Sequence, residues 1–177
     1  TANSITMPVF QQRANELHAT LFDSTTYFKC MDYQNKIDHG IFQFDWTQEY
    51  SSTIFPEQIH LETDLPGIYQ KENIATVLTT MEALSEQGLA IAYKHIQQGI
   101  EQAKQITGLH GRWECISKEP TIIADVAHNI DGVQQVLKQL ETSEFKQLHI
   151  ITGMVKDKDV DAVLTLLPKN ATYSFTQ

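Results

Sequence analysis

Two cysteines, Cys30 and Cys115, are all that the 177 residues contain, and they lie far apart with no C-x-x-C spacing. That excludes a disulfide framework and leaves no cysteine set for a zinc cage, so two reduced, buried thiols are expected. Positive charge is also scarce. Lys and Arg number 13 against 22 Asp and Glu, a net charge of -9, which argues against a nucleic-acid or anionic-membrane surface because neither can be met without a basic face. A nucleotide or a polyanionic small substrate remains compatible, since a few placed residues suffice for those. No apolar run approaches the roughly 20 residues of a membrane span, and the N-terminus has no signal-peptide pattern, so a cytoplasmic location is expected. G-x-x-x-x-G-K-[ST], G-x-S-x-G and G-x-G-x-x-G are absent as well, as are internal repeats and low-complexity tracts.

What is present has the balance of an ordinary globular protein, 41% hydrophobic and 20% charged, in a chain long enough for one domain or two small ones. The first residues, Thr1-Ala2-Asn3-Ser4, carry no initiator Met and read as a cut inside a longer chain, and the last stop straight after a strand.

Phe10, Ala14, Leu17 and Leu21 share one helical face between Met7 and Leu21, with Pro8 suited to a first turn. Thr25 to Met31, Ile41 to Trp46 and Ile59 to Thr63 are rich in aromatic and β-branched residues and have only short connections, which predicts neighbouring antiparallel strands. From about Lys71 the period changes. Ile74, Val77, Leu78, Met81 and Leu84 define a helix ended by Gly88, and Leu89, Tyr93, Ile96, Ile100 and Ala103 define a second one to about Lys104. Ile106 to Arg112 has two glycines in four residues and no periodicity, and is the candidate linker.

Beyond it, Trp113 to Ser117 and Thr121 to Ala124 read as strands, the latter a buried one. Asn129 is placed to cap a helix carrying Val133, Val136, Leu137 and Leu140 on one face. A strand at 148–152, a helix capped by Asp157 and ended before Pro168, and a strand at 171–176 complete a β-α-β-α-β order, which implies parallel pairing. The expected class is α/β: an α+β first half, then a partial Rossmann-like unit with a mainly parallel sheet.

Polar groups gather where the strand at Thr121 ends. Asp125, His128 and Asn129 lie between that strand and the next helix, at the carboxyl end of a strand where open α/β sheets bind ligands. Asp125, His128 and Asp131 are three apart and raise a carboxylate–imidazole metal site, but Asp131 lies inside the helix and its direction need not converge with that of Asp125. A nucleotide contact fits better, through a carboxylate accepting from ribose hydroxyls, and a plain capping turn is the competing reading. Arg112 follows a glycine pair at the junction. It is either a solvated surface arginine or a cation that meets charge developing on a γ-phosphate when two domains close. Asn73 either caps its helix or offers an amide to a base edge.

Taken in order, Leu65-Pro66-Gly67-Ile68-Tyr69-Gln70-Lys71-Glu72-Asn73, Gly108-Leu109-His110-Gly111-Arg112-Trp113-Glu114, Asp125-Val126-Ala127-His128-Asn129 and Asp157-Lys158-Asp159 resemble motifs of the bacterial folylpolyglutamate and dihydrofolate synthases of the Mur ligase superfamily. The resemblance implies that residues 1–104 are the tail of a central ATPase domain, 105–111 a hinge and 112–177 the first portion of a C-terminal Rossmann-like ligase domain. It implies an ATP-dependent reaction, with Mg²⁺ held mainly by upstream residues outside this sequence. A carboxylate of a folate or pteroate is phosphorylated, and L-glutamate then displaces phosphate from the acyl phosphate. Carried over by motif, Asn73 lies near the adenine, Arg112 reaches the phosphates as the catalytic cation, and Asp125 and His128 close over the nucleoside. Two positions depart from the pattern: Tyr69 stands where many members have His, and Val126 where many have Gly. A β-branched residue tolerates φ > 0 poorly, so a turn built on a glycine-only conformation would not accept Val126. The rival expectation, from another class, is a non-catalytic nucleotide- or partner-binding α/β module.

Overall fold

The computed structural model describes residues 4–47, 52, 54–154 and 160–176, and the chain divides into two compact units, Thr1–Leu109 and His110–Gln177. The expected Asp157 cap and the Asp157-Lys158-Asp159 motif lie outside the described residues.

In the first unit, α1 (Met7–Glu16) precedes a short α2 (Ser24–Tyr27), whose Asp23 caps it by accepting from the Thr25 backbone N–H at 3.0 Å. The predicted strand at Thr25 therefore starts later, as β1 (Phe28–Asn35), and the polar stretch at 32–35 belongs to it. β1, β2 (Gly40–Trp46) and β3 (Gln58–Thr63) form an antiparallel sheet in that order, as their short connections predict. Register explains the core. Phe44 faces Ile59, Phe42 faces Leu61 and Gly40 faces Thr63, so the buried positions of the two strands fall on one face. Phe28 adds ring contacts to Trp46 at 4.4 Å and, edge-on, to Phe55 at 5.5 Å. Each such buried aromatic contributes about 1.5–3 kcal/mol through the area it removes from water.

The helix α3 (Gln70–Glu86) and then α4 (Tyr93–Glu101) pack against this sheet. The buried stripe of α3 is Ile74, Ala75, Leu78, Thr79, Glu82 and Ala83, rotated from the expected face, and Val77 is exposed. Small side chains at 75, 79 and 83 let the helix approach the sheet along that stripe, a preference that apolar periodicity alone does not reveal. Buried Glu82 accepts a hydrogen bond from the Ser52 hydroxyl at 2.7 Å. From α4, Ile96 and Ile100 complete the core, whereas Leu89 lies outside the helix and is exposed. The short α5 (Ala103–Thr107) takes the first two residues of the expected linker. Its start is held by Asp64, whose carboxylate accepts from the Lys104 and Gln105 amides at 2.9 and 3.1 Å, and it ends at Gly108 in the left-handed region, φ 67°. Burial raises the pKa of the Cys30 thiol above its usual value, against a smaller opposing pull from Lys71.

The second unit holds β4 (Glu114–Lys118) and β5 (Thr121–Ala124), joined by a tight turn whose Glu119–Pro120 peptide is cis. They pair antiparallel. Among the described residues β5 has only this partner, and Thr121 and Ile122 are exposed, so the buried strand expected there is instead a half-covered hairpin arm. Four small or apolar residues in a row report burial on both faces only when both faces are covered. Next, α6 (Ile130–Glu141) begins at Asn129, whose side-chain oxygen accepts from the Gly132 amide at 2.7 Å, as its sequence position predicts. β6 (His149–Gly153), α7 (Val160–Leu166) and β7 (Thr172–Thr176) follow, and β6 and β7 form the parallel pair that a strand–helix–strand order implies. Among the described residues of this unit, Trp113, Val133, Gln139 and Val163 have buried side chains.

Replacing Asn129 by Ala is expected to destabilise the second unit by about 1 kcal/mol, the usual cost of losing a cap. Urea unfolding of the chain checks this, and an unchanged midpoint would show that the cap contributes nothing.

Candidate functional site

The local structure around Arg112 is set by two close approaches between Gly111 and Val126 and by the backbone conformation of Trp113. Gly111 is buried with φ 71°, and a Cβ there would lie 2.5 Å from Cγ1 of Val126, so only glycine fits. The Val126 amide donates to the Gly111 carbonyl at 2.9 Å, drawing the loop at 110–114 onto the turn at 125–127. Trp113 also takes a left-handed conformation, φ 51°, with its indole buried. This is a sparsely populated region for a bulky residue, and it persists only where neighbours determine it.

Asp125 is one of those neighbours. Its Oδ2 accepts from the Trp113 amide at 2.8 Å and its Oδ1 from the Ala127 amide at 2.9 Å, so both oxygens already hold backbone. The sequence presents this carboxylate as a ligand contact and gives no sign of that structural duty. Val126 is not among the residues with positive φ, so valine at this position does not distort the turn. His128 is exposed, with Nδ1 3.0 Å from the Val126 carbonyl, which leaves Nε2 on the outer side.

Arg112 is partly exposed, and its guanidinium makes no hydrogen bond or ion pair with any described residue. Asp125 and His128 are brought to the same turn, and Arg112 lies on the loop bonded to it. Asn73 belongs to the first unit, exposed on the first turn of α3, where its side-chain amide donates to Gln70 Oε1 at 2.8 Å. It does not cap. The residue at the N-cap is Tyr69, which makes no side-chain capping bond, so the capping reading of Asn73 gives way to a polar pair one turn apart. Gln70 is buried and was not singled out from sequence, although its i, i+3 spacing from Asn73 is the signal that would have found it. Glu114, bonded to the Gly111 amide at 2.8 Å, is the other residue missed. No group of three or more His, Cys, Asp or Glu able to hold a metal ion occurs among the described residues, and Asp131 does not join Asp125 and His128 in one.

Residues 111–176 match the family model of the Mur ligase, glutamate ligase domain. A dihydrofolate synthase/folylpolyglutamate synthase of Buchnera aphidicola subsp. Baizongia pistaciae is 36% identical over 130 residues, 71% of this chain. The chain belongs to the Mur ligase superfamily. A folylpolyglutamate synthase of Lacticaseibacillus casei is 31% identical over 103 residues, 58% of this chain. This Mur ligase segment spans 27% and 23% of the lengths of those two relatives. Its fold is similar to that of Mycobacterium tuberculosis folylpolyglutamate synthase, solved in complex with ADP and AMPPCP, at a TM-score of 0.78 and 20% identity over 98% of this chain and 37% of that one. No helix among the described residues of the Mur ligase segment is long and apolar enough to cross a membrane.

Proposed function

We propose that the chain is part of a cytoplasmic, ATP-dependent ligase that joins L-glutamate to the carboxylate of a folate or pteroate. Residues 1–104 are the end of its central domain, 105–111 its hinge, and 112–177 the first portion of its C-terminal ligase domain. The observation that carries this reading is the guanidinium of Arg112, unpaired among the described residues and presented by a loop that backbone bonds hold to the Asp125 turn. The names of the relatives support the substrate class, and the nucleotides in the solved structure support ATP.

In the reaction, a carboxylate oxygen of the folate attacks the γ-phosphorus and ADP leaves. The glutamate amine then attacks the acyl carbon, loses a proton, and expels inorganic phosphate. Arg112 meets the charge that grows on the transferred phosphoryl oxygens, where a positioned cation acts most strongly. His128 Nε2 and the remaining lone pairs of Asp125 face the nucleoside. The Oδ1 of Asn73, whose amide nitrogen is committed to Gln70, accepts from the adenine amino group. Mg²⁺ belongs to this chemistry, but the described residues form no set that fits it.

Two outcomes check this reading. The full-length ligase carrying this segment forms a folate–glutamate product and ADP only when ATP, folate and glutamate are all supplied. Product formed without ATP, or no product at all, would overturn it. The 177-residue chain alone is expected to turn over no ATP, because phosphoryl transfer needs positioned phosphates and the sequence has no phosphate-cradling G-x-x-x-x-G-K-[ST] loop. Turnover above a buffer blank by the pure chain would contradict this.

A further inference from the structure

We propose that Glu114 is a positioning residue for Arg112, a role that rests on the reading of Arg112 as the cation facing the phosphates. Its carboxylate closes the loop on itself: Oε2 accepts from the Gly111 amide at 2.8 Å, and Oε1 lies 2.9 Å from Nδ1 of His110. The Glu114 side chain is 16% exposed and that of His110 72%, so the carboxylate is the inner member and the imidazole braces it from outside. From the opposite side, Asp125 holds the Trp113 amide at 2.8 Å. The amides of Gly111 and Trp113, immediately before and after Arg112, are thus each committed to a carboxylate. The Gly111 carbonyl is fixed as well, by the Val126 amide at 2.9 Å.

A carboxylate on the same loop and a second one bonded to that loop would ordinarily be candidates to capture an arginine as an ion pair. Here they direct their oxygens at backbone amides instead, and Arg112 forms no ion pair with either. Fixing the peptide on both sides restricts where the Cα–Cβ bond of Arg112 can point while leaving its guanidinium for an incoming anion. The loop therefore carries the arginine as a preset group, so little ordering remains to be done when phosphate arrives.

The test uses Glu114→Ala and Glu114→Gln, each made in this chain and in the full-length ligase. In the chain, Glu114→Ala is expected to speed hydrogen exchange at the Gly111 amide by about tenfold or more, as a bonded amide opens. In the ligase it should lower kcat by about 10- to 100-fold, in line with a misplaced catalytic group, and change the KM for ATP much less. Glu114→Gln should largely restore both, since its carbonyl can accept from Gly111 while its amide donates to a neutral His110 Nδ1. A purely structural role would instead reduce thermal stability and the fraction of active sites, with kcat per active site unchanged. If Glu114→Ala fails to fold, Glu114→Asp, one methylene short of spanning both contacts, is read in the same way with a partial loss expected. Unchanged Gly111 exchange, or faster exchange with wild-type kcat, would overturn the proposal. Wild-type kcat in Arg112→Ala would overturn the phosphate reading and this role with it, whereas a large kcat loss in Arg112→Ala beside wild-type kcat in Glu114→Ala would overturn this role alone.

Discussion

In the full-length ligase, Arg112→Ala is expected to lower kcat by about 100-fold or more, the usual loss when one preorganised transition-state contact is removed. The KM for ATP should change far less, because charge on the phosphoryl oxygens grows mainly as transfer proceeds. The structure sharpens this expectation. Arg112 has no described partner, so truncating it leaves no buried group unpaired, and the thermal stability of the variant should stay near wild type. Steady-state kinetics with ATP varied at saturating folate and glutamate, beside a melting curve, separates the two. A large stability loss that accounts for the kinetic defect would return Arg112 to the class of structural arginines.

Asp125→Ala should behave differently, and the reason lies in its two backbone acceptors. Sequence alone suggests a ribose contact whose loss raises the KM for ATP and leaves stability intact. With Oδ2 on the Trp113 amide and Oδ1 on the Ala127 amide, the substitution strands two donors, one of them on a buried residue in a left-handed conformation. Roughly 2–6 kcal/mol of the second unit's stability is expected to go, at about 1–3 kcal/mol for each unsatisfied group. Urea unfolding followed by the fluorescence of Trp113 in a Trp46→Phe background reads that unit. In the ligase, kcat should fall along with the rise in KM, because Asp125 fixes the residue next to Arg112. An unchanged unfolding midpoint with a pure KM effect would leave Asp125 as a ribose contact and nothing more.

The contrast between these two residues shows how much of the molecule is legible in its sequence. Richness in aromatic and β-branched residues and short connections place β2 and β3 as neighbouring antiparallel strands, and the two-residue pleat then puts their buried positions on one face in the register Phe44–Ile59 and Phe42–Leu61. Asn129 is readable as a cap because capping is local chemistry, complete within four residues. The parallel pairing of β6 and β7 follows from chain order, since a helix must carry the chain back before the second strand can lie beside the first.

Other features depend on contacts that no local pattern records. The face of α3 turns toward Ala75 and Ala83 because the sheet selects small residues, and Val77 is left outside although it fits the helical period. β5 reads as buried from composition and is half-covered among the described residues, because burial is a property of neighbours rather than of the strand. At the site, Arg112, Asp125 and His128 were legible as polar residues beside a turn, while the work of Asp125 and Glu114 in holding that loop was not. A carboxylate three residues after a glycine gives the same sequence signal whether it points at water, a ligand or its own backbone.

The most direct measurement is oxygen transfer from the folate carboxylate. With that carboxylate labelled with ¹⁸O and the full-length ligase supplied with ATP and L-glutamate, each glutamate joined should place one labelled oxygen in the inorganic phosphate released, because the acyl phosphate keeps the attacking oxygen bonded to phosphorus. Unlabelled phosphate alongside product would exclude the acyl phosphate. Nucleotide binding with neither product nor phosphate would contradict the ligase reading and favour a binding module built on the same fold.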